Sequence, residues 1–181
     1  VVLAAGVHGS RDFVPLLLEL EARIAKQDDA NSSRLRAAVF QALGALGDSR
    51  AKEPIVAAVE KAEDDLARAA AQALARLGDP GTVLALAAKA RTSRDTDTRA
   101  LCLLAIGRIG GTRATDELAR LKPSGSAEEG VQAAWLLANG LLRSKEAYER
   151  MEKVLLHGLR GAEQTHPAEA SARGGEETLR A

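Results

Sequence analysis

RAAAQALARLGDPGTVLALAAKA, residues 68–90, is the stretch on which the fold turns. It is rich in alanine and leucine, strong helix formers, and it contains no aromatic side chain. The Gly-Asp-Pro-Gly at 78–81 interrupts it. Gly78 suits the left-handed residue that ends a helix, and Asp79 suits the cap whose carboxylate accepts a free backbone N–H of the next one. Pro80 fits a first helical position, where no N–H is needed. The stretch therefore reads as helix, tight turn, helix.

The same pattern recurs on both sides. RAAVFQALGALGDSRAKEPIVAAVE begins at Arg36, ARAAAQALARLGDPGTVLALAAKA at Ala67, RALCLLAIGRIGGTRATDELARL at Arg99 and GVQAAWLLANGLLRSKEAYERMEKVLL at Gly130. Leu43, Leu74, Ile106 and Leu137 fall at equivalent places, 31, 32 and 31 residues apart. A partial earlier copy, LAAGVHGSRDFVPLLLELEARIAK, supplies the end of one helix and the whole of another. Asp48 takes the capping place of Asp79 in its own unit, Thr112 and Ser144 take it in later ones, and Ser126 with Glu129 makes a capping-box pattern. Apolar residues recur at helical spacing in the first helix of each unit, as at Leu35, Val39, Ala42, Leu43 and Leu46.

Repeated in this way, the Arg, Ala-Ala, Ala-Leu-Gly, Leu-Gly-Asp pattern resembles the HEAT-like repeats of the PBS-lyase type over roughly residues 1–158. The Trp, Leu-Gly and Tyr marks of tetratricopeptide units and the Thr-Pro-Leu-His of ankyrin units are missing. The resemblance implies an all-α, right-handed α-α superhelix of about five antiparallel helix pairs, the first partial. Helices are expected near 11–27, 34–46, 50–61, 66–77, 81–90, 97–109, 113–121, 127–140 and 144–157. Helix 82–90 is apolar on most sides and should be interior, whereas KEAYERMEKVLL places one apolar stripe opposite its charges, as a terminal cap should. After Leu159 the apolar periodicity stops, which predicts a flexible tail over 159–181.

Composition narrows the function. Twenty-five basic residues balance twenty-five acidic ones, and the aromatics are only Phe13, Phe40, Trp135 and Tyr148. That balance argues against nucleic acid as the main partner, because such binding depends on neutralised phosphates and stacked bases. No apolar run reaches the roughly 18–20 residues of a membrane span, and the lone Cys102 leans towards a reducing, cytoplasmic setting. The chain starts without Met, partway through a unit, so repeats or a targeting signal are expected upstream. Phe13, Val14, Leu16, Leu17, Leu18, Leu20 and Ile24 give the first whole helix more apolar surface than one neighbour covers. Further repeats or a second copy should cover that end.

No residue pattern points to catalysis, a cofactor or a metal. His8, His157 and His166 lie in turns or the tail, without carboxylate or thiol at ligand spacing. Cys102 sits in ALCLLAIG, where a buried thiol acts as a small hydrophobe, and Trp135 fills space in the last unit. Glycine pairs such as Gly44 and Gly47 follow helices with no strand before them, so they are not phosphate loops. Arg36, Arg68 and Arg99 recur near first-helix starts, and Asp48 and Asp79 at turns; stacking should let an arginine reach a neighbouring unit's aspartate or turn carbonyls. The reading is a non-catalytic interaction or scaffold module holding a protein or peptide on a concave face lined by second helices. Two alternatives stay open. One is a tetrapyrrole lyase or isomerase-like accessory protein, implied only by the resemblance, and the other is nucleic-acid binding or repair.

Overall fold

The computed structural model describes residues 2–27, 29–123, 129–143 and 145–165. Among the described residues ten α-helices follow one another: α1 Val2–His8, α2 Val14–Ile24, α3 Ala30–Leu46, α4 Lys52–Lys61, α5 Asp64–Leu77, α6 Val83–Thr92, α7 Thr96–Ile109, α8 Gly111–Arg120, α9 Glu129–Leu142 and α10 Lys145–Thr165. No strand occurs among the described residues. Odd-numbered helices form one layer of first helices and even-numbered ones a layer of second helices, with a continuous core of Leu, Val, Ile and Ala between them.

Three expected helices begin with a separate 3-10 turn, at Arg11–Phe13, Ser49–Ala51 and Pro80–Thr82. The caps cause this. Asp48 Oδ1 accepts from the N–H of Arg50 at 2.9 Å and Asp79 Oδ1 from that of Gly81 at 2.7 Å, so the carboxylate closes a tight turn before the α-helix begins. Asp29 and Asp95 cap α3 and α7 directly, accepting from the N–H groups of Asn31, Ser32 and Thr98. Thr112 does not cap. It lies inside α8, whose N-cap is Gly110, and two successive glycines with positive φ replace the capping side chain. Ser126 and Ser144 lie outside the described residues. α10 runs on to Thr165, past the expected end of the repeats at 158, and the rest of the expected tail, 166–181, also lies outside them.

These caps predict acid sensitivity. Hydrogen bonds from Ser32, Arg50, Lys52 and Thr98 hold Asp29, Asp48, Asp79 and Asp95 below the ordinary 3.8, Asp48 at about 2. Protonating each carboxylate is thus harder in the folded chain than in the unfolded one, and the stabilisation is complete above about pH 4 and drains as pH falls towards 2. The melting temperature should be level between about pH 7 and 5 and fall steeply below about 4. A melting temperature that holds down to about pH 2 would remove the caps from the account.

The two layers are not equally tight. A Cβ added to Gly6, Gly44 or Gly107 would stand 2.9, 2.8 or 2.5 Å from backbone atoms of Ala42, Ala73 or Ala138 on the next first helix. First helices therefore touch backbone to backbone at these three joints. Second helices pack against each other far less, and long side chains span the gap: Lys89 donates to the Ala62 carbonyl at 2.9 Å, and Arg91 pairs with Glu117. The closer-spaced layer of a curved stack lies on the inside of the bend. First helices, not the expected second helices, make the inner face.

Candidate docking surface

The repeat positions resolve into two groups. Leu43, Leu74 and Ile106 are fully buried, but Leu137 is 63% exposed. The turn after α9 explains the difference. Gly47, Gly78 and Gly110 end α3, α5 and α7, and in the last unit the residue with positive φ is Arg143, at 52°. Counted back from these residues, the place of Leu43 is taken by Asn139, two positions after Leu137. Asn139 is buried; its amide donates to the Trp135 carbonyl at 2.8 Å and its Oδ1 accepts from Arg150 Nε at 3.1 Å. Trp135 is buried too, and its indole N–H donates to the Leu118 carbonyl at 2.6 Å, so it packs and hydrogen-bonds instead of facing a ligand.

The recurring charges tie units together. Arg36 Nη2 on α3 meets Glu21 on α2 at 2.7 Å, and Arg68 on α5 pairs with Asp65 and reaches Asp95 and Asp97 ahead of and within α7. Asp79 is held at 2.9 Å by Lys52 from the preceding unit, while Asp48 pairs with Arg50 of its own. Arg99, half-buried on α7, lines a cleft of about 260 Å³ with Arg91, Arg120 and Lys122, at whose edge buried Glu117 pairs with Arg91 and Arg120. The carboxylates and cations of these pairs already have each other, and hydrogen bonds within the pairs hold Asp48 and Asp79 below their ordinary value and Arg50 and Arg68 above theirs.

Little else is titratable in a reactive setting. Cys102 is buried, and desolvation pushes its thiol up to about 12, which leaves no thiolate to react. His8 packs edge-on against Phe13; the side chain of His157 and all of His166 lie outside the described residues. Among the described residues no group of three His, Cys, Asp or Glu could hold a metal, and no helix is long and apolar enough to cross a membrane.

The exposed apolar surface lies partly at the N-terminal end, as expected, and partly elsewhere. At the start of the chain Leu17 and Ile24 are buried, Leu18 and Leu20 half-buried, and Leu16 and Val7 exposed. On α6, expected to be interior, Leu84 is half exposed. α10 turns Glu149, Glu152 and Lys153 outward as expected of a cap, but Arg150, expected on the same side, points inward to Asn139, and Tyr148 and Leu155 are exposed. On the inner face, Leu141 of α9 stands 51% exposed beside half-buried Leu101 and Leu104 of α7, and Leu137, one turn earlier on α9, is 63% exposed.

A groove of about 440 Å³ opens on that face between α5, α7 and α9. Leu101, Leu104, Ala105 and Leu141 give it apolar walls; Gln72, Arg76 and Arg108 add polar groups. Its origin is local. Ala75, also in the lining, stands three residues before the turn residue Gly78, as Gly44 and Gly107 stand before Gly47 and Gly110. Its methyl group denies α5 and α7 the backbone contact made at the joints on either side, and they pack less extensively than α3 with α5 or α7 with α9. Sequence reasoning missed the groove, and the one available signal was an alanine where the pattern has glycine.

No curated protein matches the chain. The family model described as PBS lyase HEAT-like repeat matches residues 35–61, which hold most of α3, its turn and α4. The same helix-turn-helix geometry recurs along the stack, and the chain is an all-α HEAT-like superhelix.

Proposed function

We propose that the chain is a non-catalytic docking module that holds a protein or peptide segment against the inner face formed by α5, α7 and α9. The observation that carries this reading is the exposure of Leu141 in the groove it lines with Leu101 and Leu104, and of Leu137 one helical turn before it on α9. The core does not need them: α9 already buries Val131, Ala134, Trp135 and Ala138. Contiguous exposed leucine at a concave surface is the mark of an interface. The groove is open and has no aromatic wall, and its titratable groups are two arginines, which suits recognition better than proton transfer.

The test is selection of displayed random peptides on the immobilised full chain. Selected peptides should lose at least about tenfold in affinity, roughly 1.4 kcal/mol, against Leu137→Asp with Leu141→Asp. They should bind unchanged to Glu53→Lys with Glu60→Lys, two exposed positions of α4 in the other layer. Binding indifferent to the leucines would end the proposal.

A further inference from the structure

We infer that the segment docked in the groove is acidic as well as apolar: leucine- or isoleucine-like side chains flanked by Asp or Glu. This rests on the docking reading above and adds the partner's chemistry. The groove's charged lining consists of Arg76 from α5 and Arg108 from α7, with no carboxylate among its lining residues. Both arginines are exposed, and neither makes a hydrogen bond or ion pair within the described chain. Some other arginines do, Arg36 with Glu21, Arg50 with Asp48, Arg68 with Asp65, and Arg91 and Arg120 with Glu117, while Arg11, Arg34, Arg94, Arg113 and Arg143 make none. Arg76 and Arg108 are set apart by lining an apolar groove.

A chain with equal numbers of acidic and basic residues has carboxylates to spend on Arg76 and Arg108, yet it places none there. Two guanidinium groups from two helices lining an apolar groove can receive carboxylates that flank a buried leucine. Desolvation by the docked segment strengthens each such contact above its surface value. A basic segment would bring like charges together and be rejected. Apolar contact with Leu101, Leu104 and Leu141 supplies burial, and the arginines supply orientation and choice.

Two displayed libraries separate these contributions. Both have the same apolar positions; the remaining positions are Asp or Glu in one and Lys or Arg in the other. The acidic library should yield binders to the full chain and the basic library none. Arg76→Glu with Arg108→Glu, both exposed and expected to fold, should weaken acidic binders at least tenfold and admit basic ones. Raising the salt concentration should weaken the acidic binders to the natural chain as well. Equal yield from the two libraries, no acidic binder, or a preference that survives charge reversal overturns the inference. If both libraries bind and Leu141→Asp abolishes both, the docking face stands and the acidic preference falls. Binders that ignore Leu141→Asp sink the docking face itself.

Discussion

Gly107→Ala should destabilise the protein by about 3 kcal/mol, the upper end of ordinary overpacking, because its neighbours are backbone atoms that cannot rotate away. On an isolated helix the same change gains about 1 kcal/mol, since alanine is the better helix former. Here the new methyl would sit 2.5 Å from the Ala138 carbonyl oxygen and 2.6 Å from its Cα. α9 must move away from α7 or α7 must bend. Gly140 is the control. It stands three residues before the turn residue Arg143, as Gly107 stands before Gly110, but a Cβ there meets only Met151 Sδ at 3.7 Å. Gly140→Ala should therefore be neutral or stabilise by up to about 1 kcal/mol. Urea unfolding of the two variants gives opposite signs if the first helices touch as described. A stabilised Gly107→Ala would mean that they do not.

Leu74→Ala should cost about 2–5 kcal/mol through lost transfer energy and the cavity left behind. Leu74 is fully buried near the end of α5, at the centre of the stack, with Leu43 and Ile106 at the matching places on either side. In a solenoid each unit is held only by its neighbours, so a central cavity weakens two joints and should broaden the unfolding transition as well as shift it. A loss below about half a kcal/mol would place Leu74 at the surface and overturn the register.

How far the sequence can be read depends on which residues report locally and which report only through neighbours. The turns at Gly47 and Gly78 announce themselves, because a left-handed glycine followed by an aspartate cap has one local meaning, and the helices on either side follow. The last unit misleads for the same reason. Arg143 takes the left-handed conformation without being glycine, so counting on apolar residues points to Leu137 where the buried place belongs to Asn139. The inner face is illegible for a different reason. Which layer packs closer is decided by Gly44 against Ala73 and Gly107 against Ala138, partners some thirty residues apart whose meeting no single helix records. Arg76 and Arg108 look like ordinary solvated charges until α5 and α7 are placed side by side.

The alanine at position 75 has an implication for how such chains diversify. Glycine and alanine codons differ by one nucleotide, and each unit offers one such position facing the next. Exchanging the two residues at different joints would close one cleft and open another further along, while the caps, the core and the count of units stay the same. The address of the binding groove would then be inherited separately from the scaffold that carries it. Relatives built on identical units could present their clefts at different heights, each to a different segment, without any change of fold.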